Sequence, residues 1–144
     1  ALVYGPDQST NFLIPQLVQA CVDGSSAHVR YPEERRDLIH VDDVTEALTI
    51  LSDTPEVNHR TINIATGHAP TMREVAAMVL REAGAQSSCI TFGAGTGPTG
   101  PENLVGSPDL MRELFGWHAK IGLEEGLRDL IEYASYHNRL GVAS

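Results

Sequence analysis

The chain has 144 residues, 42% of them hydrophobic and 20% charged, with a formal net charge of −9. Length and composition fit one globular domain with a core of its own. The acidic balance leaves no basic field for counterion release, which excludes nucleic acid as a partner, and no apolar run long enough for a bilayer or leader-like start is present, so a cytoplasmic protein without a membrane partner is expected.

In chain order, residues 14–22 predict a first helix, with Leu13, Leu17, Val18 and Cys21 on one side. Pro15 is tolerated in its first turn, and Asp23-Gly24-Ser25-Ser26 ends it. Short strands are expected at residues 27–30 and 38–40, flanking a turn rich in arginine: Arg30, Arg35 and Arg36. A second helix follows over residues 42–52, with Val41, Val44, Leu48 and Leu51 at spacings of three and four. Asp42 is its expected N-cap, while Asp43 and Glu46 suit the positive end of the helix dipole.

A strand is expected at residues 61–64. The third helix covers residues 71–83: Thr71-Met72-Arg73-Glu74 reads as a capping box, Met72, Val75, Ala76, Val79, Leu80 and Ala83 make the stripe, and Gly84 stops it. A strand at residues 90–92 leads into a Gly- and Pro-rich stretch, residues 93–107, which reads as a long loop. A short helix at residues 108–115, capped by Ser107 and stopped by Gly116, precedes a last helix from residue 123 to about 137. Its apolar face is Leu123, Leu127, Leu130, Ile131 and Ala134. The pattern is mixed α/β with few strands and no internal repeat.

Two patterns fail as sites, and a third, a pair of cysteines, stays open. Gly95-Thr96-Gly97-Pro98-Thr99-Gly100 spells G-x-G-x-x-G, but Pro98 and Pro101 bracket it and no helical pattern opens there to face a pyrophosphate. The six histidines, His28, His40, His59, His68, His118 and His137, form no metal-ligand pattern. Cys21 and Cys89 are far apart in sequence and read as two small buried thiols, with a disulfide or a metal pair as the alternative.

Six short segments in order nevertheless resemble one family. These are Val3-Tyr4-Gly5-Pro6, Asn11-Phe12-Leu13-Ile14-Pro15, and Arg35-Arg36-Asp37-Leu38-Ile39-His40-Val41-Asp42-Asp43-Val44. They continue with Thr61-Ile62-Asn63-Ile64-Ala65-Thr66-Gly67, Leu114-Phe115-Gly116-Trp117 and Leu123-Glu124-Glu125-Gly126-Leu127. Together they resemble the C-terminal portion of the extended short-chain dehydrogenases, the NAD-dependent sugar-nucleotide epimerases and dehydratases. The resemblance implies the C-terminal part of a Rossmann-type enzyme, a mixed helical lobe over residues 1–144 that binds substrate, with the dinucleotide-binding domain absent from this chain. It implies Arg36 as a contact to a nucleotide diphosphate, with a structural ion pair to Asp37 or Glu34 as the alternative. Asn11 and Phe12 would border the substrate, Asn11 having a helix-start role as its alternative, and Asn63 would be structural.

In such enzymes NAD or NADP oxidises a sugar carbon, and a Tyr-x-x-x-Lys pair handles the proton. None of Tyr4, Tyr31, Tyr133 and Tyr136 has a lysine four positions on. The chain alone is therefore expected to bind no cofactor and to transfer no hydride. A nucleotide-sugar substrate and either an upstream cofactor-binding half or a second copy are the expected partners. A non-catalytic nucleotide-sugar-binding or protein-interaction module is the rival reading. Three departures from the family pattern stand out. Leu2 replaces an asparagine, Arg30-Tyr31-Pro32 replaces a Gly-containing turn, and no arginine lies between Arg81 and Arg112 to supply a second diphosphate contact. Losing one such charge-assisted bond costs about 1.5–3 kcal/mol.

Overall fold

Apolar residues at helical spacing produce helices where that spacing places them, and the strands between them are short. The computed structural model describes residues 1–54, 61–94 and 103–141. The order is β1 (Leu2–Tyr4), α1 (Leu13–Asp23), β2 (Ala27–Val29), β3 (Arg35–Arg36), β4 (Leu38–His40), α2 (Val41–Ser52), α3 (Met72–Ala83), β5 (Ile90–Phe92), β6 (Asn103–Leu104), α4 (Asp109–Phe115) and α5 (Leu123–Leu140). One turn of 3-10 helix, Ser87–Cys89, leads into β5. The described residues are thus mixed α/β, with strands paired in three parallel couples: β1 with β4, β2 with β5, and β3 with β6.

Two apolar clusters hold these pieces. In the larger, α1, α3 and α5 pack together through Leu17, Val75, Val79 and Leu127, each fully buried, with Ala27, Val29 and Ile90 from β2 and β5 beside them. In the smaller, α2 and α4 close over β4 through Ala47, Met111, Trp117 and Ile39.

The helix ends show which sequence signals decided them. The capping box at α3 is complete: Thr71 Oγ1 accepts from the Glu74 N–H at 3.1 Å, and Glu74 Oε2 accepts from the Thr71 N–H at 2.7 Å. The Thr71 N–H and hydroxyl, with Arg35 nearby, hold the Glu74 carboxyl below its usual range. Asp42, however, is not the cap of α2. The helix starts one residue earlier, and the His40 side chain caps it, Nδ1 accepting from the Asp42 N–H at 3.2 Å. Asp43 turns inward instead and accepts the N–H groups of Lys120 and Ile121, both at 3.0 Å, tying α2 to the approach to α5. The last helix runs on to Leu140 because its stop is Gly141, at φ +68°, and not the end of the apolar stripe.

The strand expected at residues 61–64 is irregular backbone. No described strand lies alongside it to complete a ladder. Ile62 and Ile64 still pack against the smaller cluster. The stretch read as one long loop, residues 93–107, contains β6, which pairs Asn103 with Arg35 and Leu104 with Arg36. The G-x-G-x-x-G spelling at residues 95–100 and His59 lie outside the described residues.

Tyr4 is 1% exposed and stands edge-on to His40, ring centroids 5.3 Å apart. Its hydroxyl has no hydrogen-bond partner among the described residues. Burial above all, with Asp43, Asp129 and Glu125 adding to it, pushes that hydroxyl well above its ordinary value of 10.0. The unfolded chain gives up this proton first, so the folded state loses stability as pH rises above about 10. Thermal midpoints measured from pH 9 upward should fall, and Tyr4→Phe should make the fall shallower.

Candidate functional site

Alternation along β3 sends its two arginines apart. Arg35 reaches toward α3, where its Nη1 donates to the Ala69 carbonyl at 3.1 Å and lies 3.9 Å from Glu74. Arg36 turns the other way, into a cleft of about 770 Å³. One wall is β1 and the start of α1, with Leu2, Asn11, Phe12 and Ile14; the other is β2 and the turn after it, with His28, Arg30 and Tyr31. The three residues read from the sequence as ligand contacts, Arg36, Asn11 and Phe12, are brought together on this cleft.

Arg36 is not alone there. Its Nη2 donates to Glu34 Oε2, and its Nη1 donates to the Arg35 carbonyl at 3.0 Å. The pair is mostly buried, with 19% and 15% of the two side chains exposed. The ion-pair alternative for Arg36 is therefore present in the fold, with Glu34 and not Asp37 as the partner. Asn11 does not cap α1: the N-cap is Phe12, with no side-chain bond, and the Asn11 N–H points back to Ser9 Oγ at 3.3 Å. Phe12 is 57% exposed and offers the cleft a bare aromatic face. Sequence reading missed His28 and Tyr31. The signal for His28 was the alternation in Ala27-His28-Val29-Arg30, which buries the first and third residues and turns His28 and Arg30 outward together.

Asp37, beside Arg36 in the chain, is fully buried and ties segments together. One carboxylate oxygen accepts from the Thr66 N–H at 3.1 Å and the Thr66 hydroxyl at 2.6 Å; the other accepts from the N–H groups of Gly67 at 3.0 Å and Gly106 at 3.2 Å. This locks β3 and β4 to the segments on either side, and so fixes the root from which Arg36 extends.

The arrangement suits a ligand with an anionic end and a flat apolar end. Among the described residues that line the cleft, Arg30 and Arg36 supply two positive charges against the one of Glu34. Phe12 and Tyr31 supply ring surface, which stacks readily on planar groups. A dinucleotide cofactor has a different requirement: a strand passing through a glycine turn into a helix N-terminus that faces the pyrophosphate. Neither β1 nor β4 does this. β4 runs straight into α2 through His40 and Val41, and β1 is followed by an eight-residue connection. Neither connection therefore supplies such a turn. Among the described residues no three His, Cys, Asp or Glu side chains gather to hold a metal, and no described helix is long and apolar enough to cross a membrane.

The sequence model of the NAD dependent epimerase/dehydratase family matches residues 1–65. None of the curated proteins matches the chain. Among solved structures, MoeE5 in complex with UDP-glucuronic acid and NAD is 27% identical, with a TM-score of 0.85 over 94% of this chain and 45% of that one. The UDP-glucose 4-epimerase of Thermus thermophilus, in complex with NAD, is 26% identical, with a TM-score of 0.74 over 92% of this chain and 43% of that one. The dTDP-glucose 4,6-dehydratase of Bacillus anthracis str. Ames, at 22% identity and a TM-score of 0.80 over 95% of this chain and 43% of that one, shares the fold. The chain spans less than half the length of each. In sequence over residues 1–65, and in fold over more than nine-tenths of its length, this chain is similar to NAD-dependent epimerases and dehydratases.

Proposed function

We propose that residues 1–144 are the substrate-binding C-terminal portion of an NAD(P)-dependent epimerase/dehydratase acting on a nucleoside-diphosphate sugar in the cytoplasm. NAD or NADP and the groups that move hydride and proton belong to a cofactor-binding half outside this chain. The observation that carries the reading is the convergence of Arg36, Asn11 and Phe12 on one cleft, with Arg30 on the facing wall. Arg36 holds the diphosphate, since a guanidinium meets phosphate oxygens in bidentate fashion. Phe12 and Asn11 border the rest of the ligand. Glu34 keeps Arg36 extended along the wall while the cleft is empty, and yields part of that contact to the incoming phosphate.

Calorimetry with UDP tests this on the chain as it stands. Arg36→Ala should weaken UDP by roughly tenfold to a hundredfold, the equivalent of one charge-assisted bond. Glu34→Gln should bind UDP as well as the parent or better. Unchanged affinity in a folded Arg36→Ala variant, or no binding by the parent at millimolar UDP, overturns the assignment.

A second reading, an interaction module that pairs with a separate cofactor domain, is favoured by the apolar edge of β1. Leu2 and Val3 are 44% and 43% exposed, and β1 has a partner strand on one side only among the described residues. Sedimentation of the isolated chain separates the two. Self-association, or capture of a separately expressed cofactor half, supports pairing through this edge; a monodisperse monomer that ignores that half counts against it.

A further inference from the structure

Cys21 and Cys89, far apart in sequence, meet in the fold. Their Sγ atoms are 3.8 Å apart. Cys21 lies in the last turn of α1, and Cys89 ends the 3-10 turn that opens β5. The sequence suggested two small buried thiols; both are half-buried at the margin of the larger apolar cluster. A disulfide has an S–S length of about 2.05 Å, so the two sulfurs need to close by less than about 2 Å, within reach of side-chain rotation and a slight backbone shift.

We propose that Cys21 and Cys89 are an oxidation site, a dithiol that forms a reversible disulfide and staples the end of α1 to the start of β5. The oxidant is a low-molecular-weight disulfide. The Cys89 thiolate attacks one of its sulfurs, giving a mixed disulfide and releasing one small thiol. Cys21 then loses its proton to solvent and attacks Cys89 Sγ, releasing the second small thiol. Two protein thiols are oxidised, one small disulfide is reduced to two thiols, and the exchange reverses with excess reductant. Burial raises the Cys21 thiol above its ordinary range, so the second step is the slow one and quickens as pH rises.

The staple matters for the cleft. Its walls are the start of α1 and β2, and β2 is hydrogen-bonded to β5 from Ala27–Ile90 to Val29–Phe92. Joining α1 to β5 fixes one wall against the other. The proposal does not depend on which ligand the cleft binds.

The test is incubation of the whole chain with oxidised glutathione, followed by intact mass and thermal unfolding. The expected product is about 2 Da lighter than the reduced chain, with a midpoint higher by on the order of 10 °C, because the bond closes a long loop. Cys21→Ser and Cys89→Ser should show no such rise, and Cys21→Ser should stop at a stable glutathione adduct. A parent chain that keeps two free thiols, or carries glutathione without closing, overturns the proposal. So does a closed chain whose midpoint is no higher than that of the reduced one.

Discussion

Asp37→Ala will destabilise the fold by about 4 kcal/mol, a large share of the roughly 5–15 kcal/mol that separates a folded domain from its unfolded chain. The carboxylate is fully buried and accepts from three backbone N–H groups and one hydroxyl. Removing it strands the Thr66, Gly67 and Gly106 donors, and a buried donor without a partner costs about 1–3 kcal/mol. Water entering the vacated space recovers part of that, which keeps the total below the simple sum. Asp37→Asn keeps the volume but turns an NH₂ toward donors, so it should cost about half as much. Urea unfolding of the three chains measures both. If alanine and asparagine are equally mild, within about 1 kcal/mol of the parent, the carboxylate is not holding these segments. Because Arg36 is the residue before Asp37, at the end of β3, UDP binding should weaken in Asp37→Ala even where the protein stays folded.

Gly126→Ala is the second large effect, and its sign opposes helix propensity. In the middle of a helix, alanine is normally better than glycine by about 0.5–1 kcal/mol. Here a Cβ at position 126 would overlap the Tyr4 hydroxyl oxygen and stand 3.0 Å from two ring carbons. Tyr4 has nowhere to retreat, being 1% exposed and set edge-on to His40. Overpacking of this kind costs about 1–3 kcal/mol, so a net loss of about 2 kcal/mol is expected. Tyr4→Phe should be close to neutral alone, since its hydroxyl has no partner to lose among the described residues. Combined with Gly126→Ala it should restore much of the loss. A double-mutant cycle by urea unfolding gives the coupling; additive losses would show that the contact is not responsible.

That contact also explains why scattered motifs were readable. Tyr4-Gly5-Pro6 and Leu123-Glu124-Glu125-Gly126-Leu127 look unrelated in sequence, yet Tyr4 fills the space that Gly126 leaves. Gly5 in turn makes room for Val41, whose Cγ1 occupies the place where a Cβ would need to be, and so links the first motif to Ile39-His40-Val41. Asp37 joins the same stretch to Thr66-Gly67. The family resemblance is thus a set of tertiary contacts, written in the few residues whose size or polarity the contacts fix. Helices were legible for a local reason, since spacing, caps and stop glycines are all within a few residues of one another.

What was not legible depends on distant partners. Two-residue β3 and β6 carry no periodicity of their own; they exist because each supplies the other's hydrogen bonds. His40 took the cap expected of Asp42 because Asp43 is drawn to Lys120 and Ile121, dozens of residues ahead. The cleft followed the same division. Arg36, Asn11 and Phe12 were visible through their motifs, and Glu34 was one of two partners the sequence offered Arg36; the choice of Glu34 over Asp37, and the 3.8 Å approach of Cys21 to Cys89, were set by the fold.

The three parallel strand couples have a kinetic consequence. Leu2 pairs with Leu38, Ala27 with Ile90 and Arg35 with Asn103, so every ladder joins parts of the chain separated by one or more helices. None of them forms as a local hairpin, and each must wait for a long loop to close, the step that slows folding in chains of high contact order. The cleft, bounded by β1, β2 and β3, therefore acquires its shape only after these loops have closed.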